Sequence, residues 1–460
     1  MKQIWVIARL TLKAAVASRF LVVFLVMLIG TVGLLPTLIR HDGSAAMFTQ
    51  VIITYTLSVL TTLLIGSTVW LSAGAISREV AECQMQILTT KPIARWKIWC
   101  GKWMGITLLN GIFITVLGGM VYGLVFWQSQ GLEEEQRALL HERLMVARGS
   151  LKEQSTDREA DVERVFQKRL NDERVKDVNP VLLRQTIEDQ FKMADELVPG
   201  NSRRRWDLNI KGKEPYLKDR PLQVHVVMNA ANVDHDDPAY RVLWVVGDVD
   251  TGKYWSKEID MLNNNVRQFS IPANMWDTNG MLRIEAWNYS RDTLRFPVDQ
   301  PLEVLFPEGT FEMNFLRGLL IIFFWLVGVA AVGLAASAYL SLPVAAFVSL
   351  TAMVVVLSGG LLNSIVEQRT IGGINHDTGE RYTRHIDPIM MPLFQVMNYG
   401  VSMAKGTSPI SRLSQGRSVS WQSVFSCFAR QVVVAGGFLA GLGIFLFNRR
   451  ELAALSGGGT

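Results

Sequence analysis

Along the 460-residue chain, apolar positions collect into six long runs at about 20–40, 50–75, 103–127, 315–339, 343–366 and 426–447. Each run holds roughly the 20 residues that a helix needs to cross about 30 Å of hydrocarbon, so the pattern predicts six membrane-spanning helices. None has a block of charge at its centre, and cations flank the ends: Arg19, Arg40, Arg78, Lys102, Arg317, Arg449 and Arg450. Long cationic side chains suit that place, because the aliphatic stem stays in lipid while the charge reaches the headgroups. The first run continues to Pro36 and Arg40 without a small-x-small cleavage signal, which predicts a retained span.

Between the third and fourth runs the periodicity changes. Residues 131–198 are dense in Glu, Arg, Lys, Gln and Leu, as in LEEEQRALLHERLMVARG, and predict two or three solvated helices, a hairpin packed on the next domain among them. From about residue 220 the chain turns to short alternating runs, QVHVVMN, YRVLWVVGD, RQFSIP, MLRIEAWN and LEVLFP, split by Asn, Asp, Gly and Pro. That period predicts a small antiparallel sandwich of roughly six to eight strands. The expected fold is therefore mainly α and polytopic: six transmembrane helices with an inserted α-helical and β-sandwich domain, without internal repeats. Its expected divisions are an interfacial helix at 1–19, spans one to three in 20–127, a helical segment at 128–219 and a sandwich at 220–310. Spans four and five follow in 311–366, then a loop at 367–425, span six at 426–447 and a tail at 448–460.

Residues 76–103, ISREVAECQMQILTTKPIARWKIWCGKW, interrupt the apolar pattern. Ile76, Val80, Cys83 and Ile87 recur at helical spacing while Arg78, Glu79, Glu82 and Gln86 take other directions, which predicts a short amphipathic helix over 76–91. Pro92 disfavours helical geometry at Lys91, so that helix ends or bends there. Trp96, Trp99 and Trp103, beside Lys97 and Lys102, predict an aromatic and basic border where the third span enters the bilayer. At the N-terminus Lys2, Arg9 and Lys13 fall in one narrow stripe, as in a helix lying on the inner membrane surface. Within 386–404, Pro388, Pro392 and Gly400 would break a re-entrant pair of short helices.

A mean hydropathy of +0.21 and 19% charged residues fit a membrane protein with a soluble insert. The net charge of +5 gathers partly at membrane edges and reports topology, not affinity for nucleic acid. Cations precede the first span and lie between the second and third, so the positive-inside rule places both segments in the cytosol. An even number of crossings returns the C-terminus to the same side and makes 128–314 and 367–425 extracytoplasmic, for a chain in the cell (inner or cytoplasmic) membrane. The outer segment 367–425 strains this assignment with Arg369, Arg381, Arg384, Lys405, Arg412 and Arg417. Cys83, Cys100 and Cys427 imply neither a disulfide framework nor a metal spacing.

The order of these features resembles the ABC-2 type permeases, the membrane subunits of ATP-binding cassette exporters. In that family the segment after the second span reads as an acidic helix, leucines, a basic-Pro pair, a small residue with Arg, and Gly-Lys. Glu79 and Glu82 match the acids, Leu88 a leucine, Lys91-Pro92 the basic-Pro pair, Ala94-Arg95 the small-Arg step and Gly101-Lys102 the Gly-Lys. Cys83-Gln84 replaces the usual Gly-Thr. Asn448-Arg449-Arg450-Glu451-Leu452 is similar to the family's basic ending, and Leu340-Ser341-Leu342-Pro343 to its turn between spans four and five. The resemblance covers roughly half the chain. It implies a coupling helix that docks on a separate cassette ATPase through Glu79, Glu82, Leu88, Lys91, Pro92 and Arg95. It further implies a second permease copy or a related permease, and ATP and Mg held by the ATPase. The residues themselves agree on one point: the chain has no Gly-x4-Gly-Lys-Ser/Thr loop, so its expected role is non-catalytic, without a cofactor.

Other features carry less. Asp234-His235-Asp236-Asp237, followed by Pro238, reads as a polar turn before it reads as a divalent-ion loop, and His225, His376 and His385 lack partners at ligand spacing. Asn288-Tyr289-Ser290 has the form of a glycosylation acceptor. Gly118, Gly119 and Gly123, and Gly436, Gly437, Gly441 and Gly443, allow close helix approach. Two functions are expected: export driven by a partner ATPase, or transmission of ATP-driven motion, anchoring or sensing through an outer domain that meets an extracytoplasmic protein.

Overall fold

The computed structural model describes residues 2–38, 45–85, 93–153, 158–170, 180–230, 239–248, 252–298, 300–368, 371, 386–404 and 408–450. The chain is mostly helical and divides into two compact units, one formed by Met1–Ala147 with Gly309–Thr460, the other by Arg148–Glu308.

In the first unit, four helices among the described residues are long and apolar enough to cross a membrane: Phe48–Ala81, Arg95–Gln130, Phe311–Ser337 and Trp421–Arg449. They mark a membrane protein. In chain order the helices are α1 (Lys2–Val16), α2 (Arg19–Leu38), α3 (Ala45–Ala81), α4 (Arg95–Gln130) and α5 (Glu134–Arg143). After the second unit, which holds α6 (Glu159–Leu170), α7 (Pro180–Glu196) and α8 (Glu214–Leu217), come α9 (Phe311–Ser337), α10 (Leu342–Leu357), α11 (Gly359–Gln368), α12 (Asp387–Ala404), α13 (Pro409–Ser414) and α14 (Trp421–Arg449). One apolar core runs through α2, α3, α4, α9 and α14, from Leu28 and Leu57 to Leu117, Ile322 and Val424.

The run at 20–40 forms α2, an apolar helix of 20 residues bent by 70° from α1. Two expectations change here. The run at 343–366 is broken: α10 ends at Leu357 and α11 starts at Gly359. Ser358, Gly359 and Gly360 stand at the break, where two adjacent glycines weaken a helix by roughly 1 kcal/mol each relative to alanine. In the other direction, 387–404 is one helix and not a broken pair. Pro388 falls in its first turn, where no intrahelical N–H bond is lost, and Pro392 comes only a turn later.

The second unit is a β-sandwich, and it recruits more of the chain than alternation alone revealed. A six-stranded sheet orders β1 (Val146–Lys152), β10 (Glu303–Thr310), β4 (Leu222–Ala230), β9 (Leu294–Arg295) and β2 (Leu197–Val198), with β7 (Asn265–Ile271) also paired to β4. The other sheet orders β3 (Arg203–Asn209), β8 (Met281–Asn288), β5 (Ala239–Asp248) and β6 (Lys253–Leu262), all antiparallel. Seven strands lie in the predicted 220–310 region, whereas β1, β2 and β3 come from the segment expected to be helical. The short alternations there, VARGSLK and RRRWDLN, carry four arginines and lysines on their outward positions, and this high charge masked the strand period.

Inward positions of both sheets meet in one core. Trp206 and Trp244 stack with ring centroids 6.0 Å apart, and Phe296 stands edge-on to both at 5.4 Å and 6.1 Å. The predicted helices are present: α6 (Glu159–Leu170) and α7 (Pro180–Glu196) form a hairpin around Val162, Leu183 and Ile187, and α8 is a single turn at Glu214–Leu217. Buried Glu196 at the end of α7 accepts from Arg295 Nε at 2.7 Å and from the Val298 amide, which joins the hairpin to the sheet. Helix α5, also part of the predicted helical segment, belongs to the first unit, where Arg137 bonds the Ser129 and Gln130 carbonyls at the end of α4.

Replacing Trp206 by Ala removes the ring both partners pack on. It is expected to destabilise the sandwich by about 3–5 kcal/mol. The check is the urea concentration at which full-length protein loses the protease-resistant Arg148–Glu308 fragment, which should fall far more than for a change at exposed Tyr254.

Candidate functional site

The segment that breaks the apolar pattern leads to a junction of helix ends. Ile76 near the end of α3, Ile98 and Trp99 at the start of α4, Ile7 of α1, Leu334 and Ala338 at the end of α9, and Phe447 at the end of α14 share one buried cluster. Backbones approach closely around it. A Cβ on Gly101 would come within 2.7 Å of the Ile7 side chain, and one on Gly105 within 2.8 Å of the Ala8 carbonyl, so α1 lies directly on α4. Lys97 Nζ also donates to Gln3 Oε1 at 2.8 Å.

The predicted coupling helix takes a different form. Helix α3 continues unbroken through Ile76, Arg78, Glu79 and Val80 and stops at Ala81, so 76–81 is the last stretch of a span helix and not a separate element. Cys83, at φ +57°, adopts the left-handed conformation and turns the chain well before Pro92. Leu88, Lys91 and Pro92 lie outside the described residues. Glu82 and Cys83 are exposed at the turn, and Gln84 Nε2 donates to Glu82 Oε2 at 2.8 Å.

Glu79 is held within the chain: Lys102 Nζ lies 2.5 Å from its Oε1, with the Lys102 side chain only 3% exposed. The other oxygen, Oε2, is buried without a hydrogen-bond partner. Such a pair costs desolvation energy that its attraction only partly offsets, but removing one partner strands a buried charge. Arg78 turns the other way and stacks over Trp70, 5.1 Å from the ring centroid.

Arg95 is also engaged. Its Nη1 donates to the carbonyls of Phe447 at 2.6 Å, Asn448 at 3.1 Å and Arg450 at 3.0 Å. Arg450 in turn donates through Nη1 to the carbonyls of Ser337 at 3.1 Å and Ala338 at 3.3 Å. The last carbonyls of a helix have no intrahelical donor and carry partial negative charge, so a cation there is favoured twice over. Two guanidinium groups thus link the start of α4 to the end of α14, and the end of α14 to the end of α9. Burial pushes the Arg450 guanidinium below its ordinary value.

Of the expected aromatic border, only Trp96 is exposed; Trp99 is fully buried and Trp103 half-buried. They turn inward because glycine admits them: a Cβ on Gly443 would meet Trp99 Nε1 at 2.6 Å, and one on Gly436 the Trp103 ring at 3.2 Å. Trp103 Nε1 donates to the Val327 carbonyl at 3.1 Å. The carbonyl-binding role of Arg450 and the burial of Lys102 were not readable from spacing, although both residues fall in the matched motifs.

The remaining candidates resolve simply. Asn288 is buried: its Nδ2 donates to the Val198 and Asp292 carbonyls and its Oδ1 accepts from the Ser290 amide, which leaves no free amide for a glycan. His225 pairs in register with Glu303 and Gln268 inside a sheet. The 234–237 loop, His376 and His385 lie outside the described residues. The chain matches no protein-family model, no curated protein and no solved structure.

Lys102→Met is expected to cost about 3 kcal/mol, whereas Lys102→Met with Glu79→Leu should recover most of it, as for buried ion pairs generally. Thermal unfolding of the detergent-solubilised protein and its three variants measures the cycle; strictly additive losses would mean that the pair is not coupled.

Proposed function

We propose that the chain is the permease subunit of an ABC-2 type transporter, an exporter that couples ATP hydrolysis on a separate cassette ATPase to substrate movement across the membrane. The observation that carries this reading is the Arg95–Arg450 relay. It ties the chain that follows the turn at Glu82-Cys83 to the ends of two further apolar helices, so a push on that turn moves three helix ends together. A two-state element biased by a partner needs such a connection.

In this reading the chain crosses the cell membrane six times, with α1–α2 as one bent crossing and α10–α11 as another, and both termini are cytosolic. The Arg148–Glu308 unit is extracytoplasmic. Exposed Glu82 meets the ATPase, together with Leu88, Lys91 and Pro92, while Glu79 and Arg95 hold the contact in place. ATP and Mg belong to the partner, and a second copy or a related permease completes the assembly. The size and separate core of the Arg148–Glu308 unit favour a second reading, in which ATP-driven motion passes to that unit or to a protein bound there, without solute transport.

Cys83 supplies a direct test of sidedness, since it is free and exposed. With Cys100 and Cys427 replaced by Ser, a membrane-impermeant maleimide should label inverted vesicles and leave intact cells unlabelled; labelling of intact cells overturns the topology and the docking site with it.

For coupling, the protein is co-expressed with a cassette ATPase. Glu82→Arg should lower co-purification about tenfold, the loss of one charged contact at an interface. Arg95→Gln should leave the complex assembled but its ATP turnover unresponsive to substrate. Wild-type behaviour in both variants sinks the proposal.

A further inference from the structure

Away from the junction, charge and open space meet between α4 and α9. These helices run antiparallel: Trp103 Nε1 donates to the Val327 carbonyl, Gly118 packs on Leu319, and the Tyr122 hydroxyl donates to Glu312 Oε1 at 3.4 Å. Between them lies a cleft of about 540 Å³, reaching from Tyr122 and Glu312 at one end to Gly111 and Phe323 at the other. At the ordinary helical rise those ends are about 16 Å apart. Glycine makes the room, since a Cβ on Gly119, in the cleft wall, would meet nothing within 4 Å.

Depth follows from α9. Glu312 stands about 37 Å along that helix from Ser337, the end bonded by Arg450, and this exceeds the roughly 30 Å of hydrocarbon. Its carboxylate is therefore at the boundary opposite the Arg95–Arg450 junction. Exposed Trp127, just beyond Tyr122 on α4, marks the same boundary. Phe323 lies about 21 Å from Ser337, within the hydrocarbon.

Glu312 is exposed and makes no ion pair among the described residues. Beside it in the wall stand the rings of Tyr122 and Phe315, with centroids 6.2 Å apart and planes tilted by 46°. Leu316, Leu319 and Leu320 keep the rest apolar, and the Thr115 hydroxyl already donates to the Gly111 carbonyl at 2.8 Å. A carboxylate and two aromatic rings at the mouth of an apolar cleft suit a cation with an apolar body.

Charge decides between occupants. A membrane phospholipid would bring a phosphate to Glu312, and the lining holds no Lys or Arg to meet it. Arg317 is engaged by the Val419 carbonyl and the Trp421 ring, and Arg137 by the carbonyls of Ser129 and Gln130. A second cavity, of about 490 Å³ between α3, α9, α10 and α14, presents the Gln431 amide against Gly328 but no charged side chain, so it selects no ligand class.

We infer that the α4–α9 cleft binds a lipophilic organic cation without a phosphate, its charge at Glu312 and its apolar body along the cleft. Export of such a cation rests on the transporter reading above; binding is measured without the ATPase, so the two fail separately. Scintillation proximity on the purified full-length protein with tritiated tetraphenylphosphonium tests it. Wild type should bind saturably, and tetraphenylborate, of the same shape and opposite charge, should compete at least tenfold less well than unlabelled tetraphenylphosphonium. Glu312→Gln, which keeps an acceptor for Tyr122 and removes only the charge, should weaken binding about tenfold, the worth of one charged contact. Glu312→Asp should keep part of it, and Gly119→Leu, which fills the cleft without a clash, should weaken it as well. Equal competition by tetraphenylborate, or unchanged binding in Glu312→Gln or Gly119→Leu, overturns the proposal. Competition by phosphatidylethanolamine as strong as that by the cation assigns the cleft to a membrane lipid and overturns it too.

Discussion

A helix that ends inside or beside a membrane leaves carbonyl groups that water reaches poorly, and something must donate to them. Here α14 and α9 solve this with two arginines from elsewhere in the unit. Arg95 serves α14 and Arg450 serves α9, so the ends of α4, α14 and α9 cannot separate without exposing carbonyls. The rest of the first unit is arranged around that requirement. Gly443 opens the space for Trp99, Gly101 and Gly105 bring α1 against α4, and Phe447 closes the cluster from the other side.

The same constraint gives the proposed coupling a stiffer path than a freely hinged loop would. A loop joined only by its own backbone would absorb a push. Here the chain re-enters at Arg95, a residue bonded directly to the carbonyls at the end of α14 and, by way of Arg450, linked to those at the end of α9. The buried Glu79–Lys102 pair adds a second tie between the end of α3 and the start of α4.

The sandwich obeys a different logic. Its core of Trp206, Trp244 and Phe296 is closed by its own two sheets, and its polar ties, such as Glu196 to Arg295, stay inside it. A core closed in this way is that of a self-contained domain.

What the sequence determined by itself follows from local physics. Long apolar runs, their cationic ends and the alternation after residue 220 marked four of the apolar helices and five of the ten described strands, because periodicity and hydropathy are carried by neighbouring residues. Charged outward faces hid β1 and β3, and the Gly359-Gly360 break was outweighed by the hydropathy around it. At the junction, sequence order picked out Glu79, Arg95 and Lys102 but not their neighbours within the chain. Which way each turned depended on residues hundreds of positions away: Arg95 on the carbonyls of 447–450, Trp99 on Gly443, Gln431 on Gly328. Only the tertiary structure could decide these, since a hydrogen bond to a distant helix end and the space left by a missing Cβ have no periodic trace in the chain.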